Sequence, residues 1–265
     1  MVVKSADRAF QILEAIGSRG SGTTHGELSK NLGIPKGSLS CLLSNLMDRD
    51  YVTYDRLSKL YMLGPKLLVL TGRYLSNLDI VRIGRPIMKD LVTEVNEDAE
   101  LAVKDGVEIL FLYKEECSQP LKYSIAIGER APIYATSAGK AILAYLPDDE
   151  IDRYFSSVKL TAITRNTITK GAALRDELQD IRSKGLAYGR EEFHRGISAI
   201  AAPIFNLYGN VVGAVVVTLP SIRFNSEQKR FIEPKLLSAA KNISHQLGFD
   251  SDNKRVQKKK GNNDL

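Results

Sequence analysis

Apolar residues recur at helical spacing from the start of the chain. Ala6, Ala9, Phe10, Leu13 and Ile16 fall at i, i+3 and i+4 positions, which predicts a helix over 6–16 with these residues inward. The run GSRGSG over 17–22 ends it in a loop. Thr24 and Glu27 form a capping-box pair, a hydroxyl at the cap and a carboxylate three residues on. They predict a short helix over 27–32 with Leu28 and Leu32 inward, and Gly33 suits the left-handed position that closes a helix. Pro35 starts a third helix that runs to about Arg49. One face carries Leu39, Leu42, Leu43, Leu46 and Met47; the other carries Lys36, Gly37, Ser38, Ser40, Cys41 and Ser44.

Two helices joined by a tight glycine turn, the second with a small polar outer face, fit a helix-turn-helix. Its second helix must enter a major groove about 12 Å wide, and small hydroxylated side chains permit close approach. The same helices also fit an ordinary three-helix bundle whose third helix faces water. The stretch after the third helix favours the helix-turn-helix. Tyr51–Tyr54 and Leu60–Leu63 are strand candidates around the polar turn Asp55-Arg-Leu-Ser-Lys59, so the order is helix, helix, helix, hairpin, that of a winged helix. Lys36, Ser38, Ser40, Cys41 and Ser44 are then the candidate groove contacts, with Arg56 and Lys59 at the wing tip for phosphate or the minor groove.

Gly64-Pro65 punctuates the chain, and 66–75 is again helical, a linker helix. Ile80, Ile83, Ile87, Leu91 and Val95 mark an amphipathic helix. Extended segments are predicted over 99–104, 109–114, 122–127, 133–135, 163–169, 199–205 and 211–219, the last two joined by a turn at Tyr208-Gly-Asn210. Thr136 caps a helix to Tyr145, Pro147-Asp-Asp-Glu150 opens another, 173–183 is helical, and 224–247 is the last long helix. Antiparallel strands flanked by helices make the fold class α+β. The predicted layout is 1–64 winged helix-turn-helix, 65–79 linker helix, 80–249 effector domain and 250–265 a disordered basic tail.

Composition narrows the function classes. Of 265 residues, 43% are hydrophobic and 26% charged, which excludes a wholly disordered chain. Cys41 and Cys117 are the two cysteines, too few for a disulfide scaffold or an all-cysteine zinc site. Three histidines leave little for a metal site, and neither a metal nor a cofactor is expected. No apolar signal region and no membrane span is visible, so the expected location is the cytoplasm. The net charge of +6 leans toward an acidic partner, but residues 1–65 carry eight Lys and Arg against six Asp and Glu. Pattern rather than charge therefore identifies the DNA-binding segment.

Other chemistry reads as structural. Ser137, Gly139 and Lys140 lack the first glycine of a phosphate loop, since Tyr134 stands there, and Ala141 replaces its hydroxyl residue. Ser198 in GISAI is not a nucleophile elbow. His194 beside Glu191 and Glu192 suggests a surface ion pair, and Glu192 and Arg130 read as loop-fixing charges. Cys41 would need a lowered thiol pKa to sense oxidation, and nothing in the sequence supplies one. No catalytic constellation is present. A sensory domain or an enzyme carried on a winged helix is the alternative to a ligand-responsive regulator.

Four ordered segments resemble the IclR family of bacterial transcriptional regulators: SADRAFQILEAI, ELSKNLGIPKGSLSCLLSNLMDRDYV, GERAPIYATSAGKAILA and GREEFHRGISAIAAPIFNLYGNVVGAVVVTLP. The resemblance spans roughly residues 3–249. It implies a winged helix, a linker helix and a GAF-like effector domain, a homodimer or tetramer on palindromic double-stranded promoter DNA, and a small organic acid as effector. It also implies effector contacts. The amides of Ser137 and Ala138 would meet a carboxylate, as a helix N-terminus does. Thr218 keeps a hydroxyl, and Tyr123, Ala131 and Ile197 match apolar wall positions. Gly189, Ala199 and Val216 stand where the family often has aspartate, cysteine and a small polar residue. The expectation is a site poor in polar groups, suited to a larger acid such as an aromatic one, in a protein that is a repressor or an activator.

Overall fold

The computed structural model describes residues 3–19, 21–76, 79–121, 123 and 125–250. The chain divides into two units, Met1–Asn77 and Leu78–Leu265.

In the first unit α1 (Lys4–Gly17) buries Ile12 and Ile16, with Ala9 and Leu13 packed beside them. Phe10 is 64% exposed and Ala6 is also outside, so the buried stripe is rotated from the expected one. The pair Ile12 and Ile16, four residues apart, sets the face. In α2 (His25–Leu32) the capping box is complete: the Thr24 hydroxyl accepts from the Glu27 N–H, and the Thr24 N–H donates to Glu27 Oε2 at 3.0 Å. Gly33 ends α2 at φ 60°. Pro35 is the cap of α3 (Lys36–Asp48) rather than its first helical residue. Leu39, Leu43 and Leu46 bury one face of α3 against Ile12, Leu28 and Val52. The strands β1 (Val52–Asp55) and β2 (Leu60–Leu63) pair antiparallel, Val52 opposite Leu63. Asp55 fixes the turn between them by accepting from the Leu57 N–H at 3.0 Å. The last helix of this unit is α4 (Pro65–Ser76).

The second unit runs α5 (Asp79–Val95), β3 (Asp98–Asp105), β4 (Glu108–Glu115), β5 (Arg130–Pro132), α6 (Ser137–Leu143), α7 (Asp148–Ser157), α8 (Gly171–Lys184), β6 (Ala187–Arg190), β7 (Ile197–Phe205), β8 (Val211–Pro220) and α9 (Ser226–Gln246). Its sheet has the order β5-β4-β3-β8-β7-β6, with every neighbouring pair antiparallel. α5 and α9 pack on each other and on the sheet, while α6 packs on the sheet and on α8. The largely continuous burial of β7 and β8 follows from apolar residues on successive positions. Asn206 holds their connection by accepting from the N–H groups of Tyr208 and Asn210 at 3.1 Å.

Several extended segments are corrected. Of 122–127, Lys122 and Ser124 lie outside the described residues, and Tyr123 and 125–127 form no strand; β5 lies further on. Residues 133–135 form a 3-10 turn that leads directly into α6. The threonine-rich stretch 163–169 is a turn, because its hydroxyls bond locally: Thr167 Oγ1 accepts from the Ile163 and Thr164 N–H groups and donates to the Glu192 carbonyl. β6 was not anticipated. Of the basic tail, residues 251–265 lie outside the described residues.

Candidate functional site

On α3 the residues Lys36, Ser38, Ser40, Cys41 and Ser44 are all exposed, opposite the buried leucines. One neighbour escaped the sequence reading: His25, the first residue of α2, places Nε2 3.0 Å from Ser40 Oγ. The Ser40 hydroxyl also donates to the Lys36 carbonyl at 3.0 Å, so much of its bonding capacity is engaged. Arg56 and Lys59 are exposed on the β1–β2 turn, with Lys59 at φ 57°. Behind the α2 start, the Thr24 N–H and hydroxyl and the Arg19 guanidinium hold the Glu27 carboxyl down to about 2.

The second unit contains a cavity that brings together eight of the nine expected effector contacts: Tyr123, Ser137, Ala138, Gly189, Ile197, Ala199, Val216 and Thr218. The register explains the grouping. Gly189, Ala199 and Thr218 stand side by side on β6, β7 and β8, and Val216, two residues before Thr218, stands opposite Glu100 of β3, so two adjacent rows of one sheet face form the wall. Ala131 is the exception. On β5 it stands opposite Ile109 of β4, is fully buried in the apolar core, and does not line the cavity.

Thr136 caps α6, its hydroxyl accepting from the Gly139 N–H at 3.1 Å. The N–H groups of Ser137 and Ala138, which a helix start leaves without intrahelical carbonyls, belong to cavity-lining residues. Gly189 keeps that place open: a Cβ there would sit 3.6 Å from the Ser137 nitrogen.

Two polar groups went unseen in the sequence. Glu100, on β3, is 1% exposed and lines the cavity. Its Oε2 accepts from the Thr218 hydroxyl at 2.8 Å, and among the described residues its Oε1 has no partner. Burial pushes its pKa up to about 8; Asp98 adds to the rise, and Thr218 and Lys114 oppose it. His194, expected in a surface ion pair, instead lines the cavity between Phe193 and Tyr123, with ring centroids 4.2 and 5.0 Å away. Its Nε2 is buried and has no partner among the described residues. The glutamates are engaged elsewhere. Glu191 accepts from the Gly196 N–H, and Glu192 holds Lys140 at 2.8 and 2.9 Å. Arg130 pairs with Asp105.

The cavity therefore holds two polar groups beyond the expected ones, Glu100 and His194, within a lining that is otherwise mostly apolar. The cavity volume is about 60 Å³. That is several times the ~10–15 Å³ that holds a water and under half the ~150 Å³ of an engineered cavity that holds benzene.

Glu100 makes stability depend on pH. The native carboxyl keeps its proton to about pH 8, whereas the unfolded one loses it near the ordinary value of 4.5. The unfolded state thus binds fewer protons across that window, and stability falls as pH rises from about 4.5 to about 8. Glu100→Gln is expected to remove this fall, as read by urea midpoints at the two ends of the window in both proteins.

Among the described residues no three His, Cys, Asp or Glu side chains are grouped to hold a metal, and no helix is long and apolar enough to cross a membrane. Residues 5–56 match the model of the IclR helix-turn-helix domain, and residues 72–245 match that of the bacterial transcriptional regulator IclR C-terminal domain. The chain is 32% identical over 248 residues to the HTH-type transcriptional regulator KdgR of Escherichia coli, covering 93% of this chain and 94% of that protein. It is 30% identical over 249 residues to the DNA-binding transcriptional repressor YiaJ of the same organism, covering 93% and 88%. The solved IclR structure from Thermotoga maritima matches with a TM-score of 0.82 at 28% identity, over 93% of this chain and 99% of that one. An IclR-type regulator from Alicyclobacillus acidocaldarius matches with a TM-score of 0.82 at 25% identity, over 94% and 100%.

Proposed function

The chain belongs to the IclR family of bacterial transcriptional regulators, and on that premise we propose that it grips promoter DNA through α3 and the β1–β2 turn and alters that grip when a small organic acid occupies the cavity of the second unit. The observation that carries the effector half is the cavity itself, lined by residues of five strands and the start of α6. An acid carboxylate meets the Ser137 and Ala138 N–H groups there, and Thr218, whose hydroxyl donates to Glu100, holds the facing wall. Residues 1–64 act as the DNA-binding domain, 65–79 as the linker helix, 80–249 as the effector domain and 250–265 as a basic tail. The working form is a homodimer or tetramer on a palindromic site. Repression is the favoured sign of regulation, supported by the relative YiaJ, named as a repressor.

The DNA half is tested by separating reading from gripping. Phosphate contacts position a protein, whereas base-edge contacts specify sequence. Arg56→Ala is expected to weaken binding to all sequences about equally. Ser44→Ala is expected to shift preference at one base pair by roughly 1–3 kcal/mol. Ser40→Ala moves preference less, because His25 and the Lys36 carbonyl already engage that hydroxyl. Anisotropy on a panel of single-base operator variants reads both effects. Uniform loss in every variant, with preference intact, would remove α3 from the groove.

A further inference from the structure

Resting on the reading of the cavity as an acid site, we propose that Glu100 and His194 form a hydroxyl-recognition subsite within it, so that the effector is a small hydroxylated acid rather than an unsubstituted or aromatic one. A buried polar atom without a partner costs free energy until something bonds to it. Glu100 Oε1 and His194 Nε2 are two such atoms among the described residues, and both residues line one cavity. The rest of the Glu100 surroundings is engaged: Oε2 holds the Thr218 hydroxyl, and the neighbouring Asp98 is paired with Lys114 at 3.1 Å.

The chemistry of these atoms selects the ligand group. A hydroxyl both donates and accepts, so it satisfies a carboxyl oxygen in either protonation state and an imidazole nitrogen in either tautomer. An ammonium would need Glu100 ionised, and burial opposes ionisation. A methyl or ring edge would leave both atoms unbonded. The remaining wall is apolar at Phe111, Ile125, Ile197, Ala199 and Val216, which accepts a short carbon skeleton. The volume of about 60 Å³ suits a short carbon skeleton.

The test is calorimetry on the full chain with glycerate, propionate and benzoate. Glycerate and propionate share a three-carbon skeleton and differ only in two hydroxyls. The expected result is glycerate at least about tenfold tighter than propionate, with benzoate weakest. Glu100→Leu removes the carboxyl in favour of an apolar side chain, and His194→Phe keeps the ring between Tyr123 and Phe193 while removing its nitrogens. In each the glycerate preference should shrink toward parity, with cooperative melting checking the fold; if Glu100→Leu does not fold, His194→Phe decides. Propionate or benzoate as tight as glycerate in the unaltered protein overturns the subsite and leaves the acid reading standing. A glycerate preference undiminished in the folded variants also overturns it. No binding by any of the three acids at millimolar concentration overturns the acid reading and the subsite together.

Discussion

Lys140→Met is expected to destabilise the second unit by about 3–5 kcal/mol, the cost of leaving a buried charge without its partner. Lys140 is completely buried and donates to both oxygens of Glu192 at 2.8 and 2.9 Å, and to Glu177 at 3.3 Å. Glu192 is itself 7% exposed, so water cannot replace the ammonium, whereas Glu177 on α8 is partly exposed and keeps solvent contact. The double variant Lys140→Met, Glu192→Leu should recover most of the loss, because a buried pair replaced by apolar groups is often neutral. Urea unfolding of the single and double variants measures both. A single variant within about 1 kcal/mol of the parent would mean that the pair is solvated in solution. The contact ties α6 to the loop after β6, and Glu192 also lines the cavity. The lysine that superficially suggests a phosphate loop is thus a strut beside the cavity.

The second large effect is expected at Gly139. A Cβ there would lie 2.2 Å from the Ile133 carbonyl oxygen and 2.4 Å from the Ile133 Cα. Both are backbone atoms, so neither can swing away, and α6 must move off the 3-10 turn before it. Overpacking of this kind costs typically 1–3 kcal/mol, and Gly139→Ala should reach or exceed the upper end. It should also weaken acid binding, since Ser137 and Ala138 belong to the same displaced turn. Gly72→Ala in α4, where nothing lies within 4 Å, is the contrast and should be tolerated. Thermal melting and calorimetry of the two variants check this. A Gly139→Ala protein with parental stability would show that α6 is not held against Ile133.

The parts of the fold that local chemistry controls were legible in the sequence. The capping box at Thr24 and Glu27, the left-handed Gly33, and the leucine stripe of α3 each depend on residues a few positions apart. The α1 stripe was misplaced because Phe10, the largest apolar residue of that helix, faces out while Ile12 faces in. The stretch 163–169 has the β-branched content of a strand, yet its threonine hydroxyls bond to backbone instead. β6 escaped notice because Ala187-Tyr-Gly-Arg190 is short and contains a glycine. Most of the cavity wall came from the family resemblance rather than from the residues themselves. Glu100 was invisible for a physical reason. A carboxylate within an alternating strand reads as solvent-facing, and only Thr218, 118 residues away, reveals that it faces inward.

The most direct test of the regulatory account is the affinity of the full chain for its own upstream promoter DNA, measured by anisotropy with and without a saturating acid that calorimetry shows to bind. Coupling between two sites typically changes affinity about 5–150-fold, and it is reciprocal. The account predicts a shift of that order, lost in Thr218→Val at the same acid concentration because the acid no longer saturates. An identical DNA affinity in the presence and absence of bound acid would contradict it.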